Sequence, residues 1–277
     1  MSKIGIVAGG GQFPLLFAQA AKEKGCQVVV AAHRGETRPE LEGAADRFCW
    51  VKLGQLGRII KFFKDEAVTE AVLLGTITKT RIFKDILPDL KGLSLWNQIK
   101  IRQDDTILRA VAGALEEEGI RILESTCYLS HLLFPQGVLT RRSPSSGQKE
   151  DINFGWKMAR AIGELDIGQC VVVRDRTVLA VEAIEGTDAT ILRGGGLGRK
   201  DAVVVKVKKP GQDFRFDLPA IGAGTISSMK QVGASLLAVE AGQALLFDRD
   251  EVIAAANSAG IVVVGVEESR AGELHYR

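Results

Sequence analysis

The residues best suited to chemistry lie in the second half of the chain. In "RFDLPAIG" (215–222) a carboxylate, Asp217, stands between Phe216 and Leu218, and Pro219 ends the extended run just after it. Upstream, "VVVKVKKPG" (203–211) alternates, so Lys206 and Lys208 share one face of a strand, as Arg215 and Asp217 share one face of the next. Cations gathered near a carboxylate suit an anionic substrate. The cations would hold phosphates, and the carboxylate would hold a metal or direct a water. Asp213 is a candidate second metal ligand beside Asp217, with Asp166, Glu185 and Asp188 as further acidic partners. The competing reading is a pair of salt-bridged edge strands facing water.

Two glycine-bearing stretches could complete such a site. In "ELDIGQCVVVRDRTVLAVEAIEGTDATILRGGG" (164–196), Gly168 and Gln169 form a turn before a hairpin centred on "RDRT". The second strand runs into Glu185, Gly186, Thr187 and Asp188, where side chains and amides could converge on a ligand. "RGGGLGRK" (193–200) then reads either as a loop wrapping a phosphate or as a mobile loop. Near the N-terminus, Gly10, Gly11 and Gln12 follow a strand and open a helix, where free amides attract an anion. A dinucleotide fingerprint needs glycine at 9, 11 and 14, but position 14 is Pro14 and the second strand ends in His33-Arg34 without an acid. A loop touching a nucleotide or sugar, or a tight turn with no ligand, are the readings left. Cys26, Cys49, Cys127 and Cys170 are scattered among apolar residues, and His33, His131 and His275 have no ligand spacing, so neither zinc nor a histidine dyad is indicated.

The elements that must position these residues form an α/β series. "KIGIVAGG" (3–10), "QVVVAAH" (27–33), "EAVLLGTI" (70–77) and "IRILEST" (120–126) read as strands. Helices over 13–25, 56–68 and 105–119 separate them, which implies a Rossmann-like parallel sheet in residues 1–133. Residues 134–151 carry prolines, glycines and serines and read as a linker. Residues 152–277 read as a mixed α/β domain. A net charge of +2 without a basic block argues against nucleic acid as a partner. The sequence has neither an apolar run long enough to cross a membrane nor an export signal, so a cytoplasmic protein is expected.

The stretches "GIVAGGGQFP", "GTITK" (75–79), "DDTILR" (104–109), "ELDIGQ" (164–169), "VLAVEAIEGTDA" (178–189) and "RFDLPAIG" carry a resemblance over residues 3–266. They resemble the UDP-2,3-diacylglucosamine pyrophosphatases of the lipid A pathway of the LpxI type, unrelated to the calcineurin-like enzymes of that step. Phe13 and Gln103 depart from the usual leucine and glycine, away from the acidic positions. The resemblance implies two α/β domains with substrate between them, the second being catalytic. It implies hydrolysis of UDP-2,3-diacylglucosamine to UMP and 2,3-diacylglucosamine 1-phosphate with Mg²⁺, water attacking the phosphorus nearer the sugar. The family's essential aspartate aligns with Asp217, and Gly75 and Thr76 join the residues expected to bind substrate. In 81–101, Phe83, Ile86, Leu87, Leu93, Leu95 and Trp96 either line an acyl groove, touch a membrane surface or pack as core helices. Peripheral contact with the inner membrane and a homodimer are compatible with this reading. A phosphohydrolase of a non-lipid nucleotide sugar and a non-catalytic nucleotide-sugar binder stay open beside it.

Overall fold

The computed structural model describes residues 2–78, 87–98, 104–198, 200–216 and 218–276. The chain forms two compact units, Met1–Ser130 with Asp213–Asp217, and His131–Gln212 with Leu218–Arg277.

Unit 1 is built on strands β1 (Lys3–Ala8), β2 (Gln27–His33), β3 (Arg47–Val51), β4 (Glu70–Leu74) and β5 (Arg121–Ile122), in the order β3-β2-β1-β4-β5. All are parallel; Gly5 lies opposite Val29 in β2 and Ala71 in β4. β1, β2 and β4 are buried almost throughout, which is why they read as unbroken apolar runs rather than alternating ones. The helices are α1 (Phe13–Glu23), α2 (Leu41–Ala44), α3 (Leu56–Asp65), α4 (Leu90–Gln98) and α5 (Asp104–Glu116). α3 lays Ile59, Ile60 and Phe63 against the sheet in one core with Ala112 and Leu115 of α5. The chain runs outward from β1 through β2 to β3, then returns to β4 on the other side of β1. That reversal is the switch point where loops at the carboxyl ends of open α/β sheets form ligand sites.

The last piece of unit 1 comes from far along the chain. Residues 214–216 were expected to be extended, but they turn. Asp213 Oδ1 accepts the Arg215 amide at 3.0 Å, and the Phe216 amide donates to the Asp213 carbonyl at 3.3 Å. A short acidic side chain bonded to the backbone two residues on competes with the extended form. Arg215 also reaches Glu116 at 2.9 Å, Ser125 Oγ donates to the Phe214 carbonyl at 3.1 Å, and Phe216 packs on the unit 1 core.

Unit 2 holds β6 (Gly137–Val138), β7 (Cys170–Arg174), β8 (Thr177–Val181), β9 (Val203–Lys206), β10 (Ala220–Ile221), β11 (Leu236–Glu240), β12 (Leu245–Leu246), β13 (Val262–Glu268) and β14 (Leu274–His275). Its main sheet runs β14-β13-β11-β9-β7-β8, with β6 also on β13. β9, β11 and β13 are parallel, while β7 is antiparallel to both β8 and β9, giving the expected mixed sheet. Its helices are α6 (Ser146–Glu164), α7 (Thr187–Gly198), α8 (Ala223–Val232) and α9 (Arg249–Ala259).

Two expectations need correction here. Residues 134–151 are not a linker, because Phe134 is buried, β6 pairs with β13, and Ser145 and Gln148 cap α6 reciprocally. Their turn-forming residues serve a bend and a helix start inside unit 2. Nor is "RGGGLGRK" a loop, since residues 193–198 continue α7. The glycines are there for contact: a Cβ on Gly195 would sit 2.1 Å from Val232 Cγ2, and one on Gly194 2.7 Å from Val172 Cβ. Glycine costs a helix about 0.5–1 kcal/mol per residue relative to alanine, which this close approach to α8 and β7 offsets.

Candidate functional site

In unit 1 the predicted glycine loop sits at the switch point. The loops after β1 and β4 bond to each other: the Gly10 amide donates to the Thr76 carbonyl at 2.7 Å, and the Thr76 amide to the Gly10 carbonyl at 3.2 Å. Gly75 has φ +86°, and a Cβ there would lie 2.3 Å from the Gly10 carbonyl oxygen, so only glycine fits. Gly10, Gly75 and Thr76 are thus held together, and their shared backbone bonds are spent on one another. Gly11 and Gln12 lead into α1, whose N-cap residue, Gln12, makes no side-chain capping bond. His33 closes β2 beside this loop, its Nδ1 3.0 Å from the Ala8 carbonyl; burial pushes its pKa below the ordinary histidine value.

In unit 2 a second group of predicted residues converges, and its centre is Lys206. This last residue of β9 is only 4% exposed. Its Nζ donates to Thr187 Oγ1 and to the Ala220 carbonyl, both at 3.0 Å. Among the described residues no carboxylate pairs with it directly, although burying an ammonium without a counter-charge is costly. Thr187 is the first residue of α7, where the helix end adds a partial positive charge. Thr187 Oγ1 in turn donates to Glu182 Oε1 at 2.9 Å. Glu182, 7% exposed, follows β8 directly, and its Oε2 lies 3.4 Å from the Gln169 amide. Gly168 packs against the Glu182 carbonyl, which lies 2.1 Å from where a Cβ would stand. Gln169 Oε1 and Gln212 Nε2 are buried and without partners among the described residues, a cost of about 1–3 kcal/mol each unless a ligand or water meets them.

The remaining predicted residues are held by other contacts. Glu185 accepts from Arg193 at 2.6 Å; a backbone hydrogen bond first, then Arg193, hold its carboxyl below the usual range. Asp188 stands in the first turn of α7, complementing the helix end. Lys208 lies beyond the end of β9, half-buried, with its amide donating to Glu240 at 2.8 Å, so the alternation that paired it with Lys206 does not persist. Cys170 is fully buried, and that burial, with Glu182 adding to it, pushes its thiol far up and leaves no nucleophile there.

Asp213 does not suit a metal. Its oxygens accept from Arg215 Nε at 3.1 and 3.2 Å and from Nη2 at 2.9 Å, and Arg109 Nη1 lies 3.3 Å away. Burial alone would raise its pKa, but the Arg215 bonds and the two guanidinium charges outweigh it and hold the carboxyl below the ordinary aspartate value. Among the described residues no group of three or more His, Cys, Asp or Glu is arranged for a metal ion. Asp217 lies outside the described residues, as do Arg199 and the Phe83 and Ile86 of the expected acyl groove. Of that groove's other members, Leu95 packs on the unit 1 core, while Leu87 and Leu93 are 55% and 45% exposed. No described helix is long and apolar enough to cross a membrane.

The residue that sequence reasoning missed is Glu182. In "VLAVEAIE" it reads as one acid among several; the available signal was its place at the end of an apolar strand, five residues before a threonine.

Comparison with known proteins gives a consistent result. Residues 3–132 match the LpxI N-terminal domain and residues 135–264 the LpxI C-terminal domain. A curated protein of Caulobacter vibrioides, named UDP-2,3-diacylglucosamine pyrophosphatase LpxI, is 35% identical over 280 residues, covering 96% of this chain and 98% of that protein. Among solved structures, phosphoribosylglycinamide synthetase from Anaerococcus prevotii aligns at 17% identity with a TM-score of 0.23, over 62% of this chain and 32% of that one. N5-carboxyaminoimidazole ribonucleotide synthetase from Thermotoga maritima gives 16%, 0.25, 68% and 43% for the same quantities. Overlaps that loose carry no argument.

Proposed function

The chain belongs to the LpxI family, and from that premise we propose that it hydrolyses the pyrophosphate of UDP-2,3-diacylglucosamine to UMP and 2,3-diacylglucosamine 1-phosphate, a step of lipid A biosynthesis. The observation that carries the reading from within the chain is Lys206. A buried ammonium, bonded to two neutral oxygens and set at a helix N-terminus, is a seat for an anion. A pyrophosphate oxygen would accept the ammonium hydrogen that these two bonds leave over. Orphaned Gln169 Oε1 and Gln212 Nε2 offer an acceptor and a donor to the polar groups of a nucleotide sugar.

Within this reading Lys206 binds and orients a phosphate, and Asp217 aligns the attacking water, as the motif "RFDLPAIG" suggests. Lys208 is a weaker candidate for phosphate than Lys206. Mg²⁺ stays in the proposal as a partner of the substrate's pyrophosphate, whose charge it would neutralise. Contact with the inner membrane surface is proposed on the exposed Leu87, Leu90 and Leu93.

The test is incubation with UDP-2,3-diacylglucosamine and Mg²⁺, followed by assay of UMP. In ¹⁸O-water the label should enter 2,3-diacylglucosamine 1-phosphate, because attack is proposed at the phosphorus nearer the sugar. Binding without UMP release would leave a nucleotide-sugar binder, and label in UMP would move the attack to the other phosphorus.

A further inference from the structure

We propose that Glu182 is a positioning residue which, through Thr187, fixes the direction of the Lys206 ammonium. The inference deepens the reading above and rests on it for its substrate. Three contacts make the relay. Thr187 has one hydroxyl hydrogen, and the 2.9 Å contact commits it to the carboxylate of Glu182. Its oxygen is then free to act only as an acceptor, and it accepts from Lys206 Nζ at 3.0 Å. The Ala220 carbonyl takes a second ammonium hydrogen at 3.0 Å. With two of three hydrogens fixed, tetrahedral geometry sets where the third must point.

The carboxylate does more than orient a hydroxyl. It places a full negative charge one hydroxyl away from a cation that is buried at 4% exposure. The pair is compensated without direct contact, so Lys206 keeps a hydrogen for a ligand instead of spending it on an ion pair. Glu182 is itself held from behind, by the Gln169 amide at 3.4 Å and by its own amide bond to the Cys170 carbonyl at 2.9 Å. Thr187, expected to touch substrate, thereby becomes an intermediary. Glutamine at 182 has nearly the same shape but no charge, and its amide can donate to Thr187 and reverse the hydroxyl.

The full-length chain tests this in two ways. In hydrolysis of UDP-2,3-diacylglucosamine, Glu182→Gln and Thr187→Val should each raise KM roughly tenfold while kcat changes less than about threefold. Thr187→Ser, which keeps the hydroxyl, should return KM to within about twofold of wild type. The double variant Glu182→Gln/Thr187→Val should be no worse than its worse parent, because one relay is cut twice. An unchanged KM, or parental effects that multiply, overturns the relay. The second readout needs no turnover: the ¹H–¹⁵N spectrum of lysine ammonium groups, with Lys206 assigned by its loss in Lys206→Met. A slowly exchanging Lys206 signal should persist in Thr187→Ser and vanish in Glu182→Gln and Thr187→Val; its persistence in all three overturns the proposal. A wild-type chain without turnover that shows these spectral losses would refute the proposed hydrolysis and support the relay.

Discussion

Replacing Lys206 by methionine should lower both activity and stability, each for its own reason. The side chain makes two hydrogen bonds to neutral oxygens, so the substitution forfeits about 1 kcal/mol for each. Against that stands the desolvation of an ammonium at 4% exposure, several kcal/mol per buried ion, which methionine of similar length does not incur. That relief is outweighed, because Glu182 at 7% exposure would keep a buried charge with no cation behind Thr187. Folding stability should therefore fall, by about 1–3 kcal/mol, and for a domain of this size each kcal/mol moves Tm by about 2–4 °C. Activity should fall. A hydrogen bond from a charged donor to a phosphate is worth about 1.5–3 kcal/mol, which corresponds to a roughly 10- to 150-fold loss in kcat/KM. Calorimetry and steady-state UMP release on the same preparation measure both. An unchanged or raised Tm would show that Glu182 and Lys206 do not compensate each other, and kcat/KM within twofold of wild type would make Lys206 a structural lysine.

Other expectations concern neighbouring parts of the chain. Asp217→Ala should lose most hydrolysis yet keep substrate affinity, read by single-turnover rates and by equilibrium binding; near-wild-type turnover would remove Asp217 from the chemistry. Gly195→Ala should destabilise unit 2 by about 1–3 kcal/mol, because its Cβ meets Val232, and adding Val232→Ala should recover most of the loss in urea midpoint. Asp213 contributes a pH dependence. Its folded pKa is depressed, so its stabilisation is complete above the ordinary aspartate value of about 3.9 and is lost as pH falls through the lower folded value. Asp213→Asn should flatten the urea midpoint of unit 1 between about pH 4 and its acid limit, and an unchanged slope would show that another carboxylate governs it.

β1, β2 and β4 of unit 1 were legible because each is an apolar run buried on both faces, whereas the edge strand β3, "RFCWV", is partly exposed and was not among the expected strands. The second half was harder for three reasons visible in particular residues. "FRFD" alternates like a strand, but Asp213 captures the Arg215 amide, and a side-chain bond two residues away outweighs a short alternation. Gly194 and Gly195 look like a loop by propensity, yet close approach to Val172 and Val232 accounts for them in a helix, a tertiary effect that no local window contains. Residues 134–151 resemble a linker because caps and connectors draw on the same residue types. In the site, Lys206 and Thr187 could be nominated from alternation and a glycine turn. Glu182 could not, since its role exists only once β8 delivers it behind the first turn of α7.

The excursion of Asp213–Asp217 into unit 1 has a consequence for dissecting the molecule. A fragment ending at Ser130 would leave out the peptide that seats Phe216 on its core and answers Glu116 with a guanidinium. A fragment beginning at His131 would carry that peptide with nowhere to dock. Neither half is a cassette that expression or recombination could move intact, and the borrowed five-residue stretch ends on the aspartate proposed for catalysis. Exchange of halves between relatives would have to carry this tether across with the N-terminal partner.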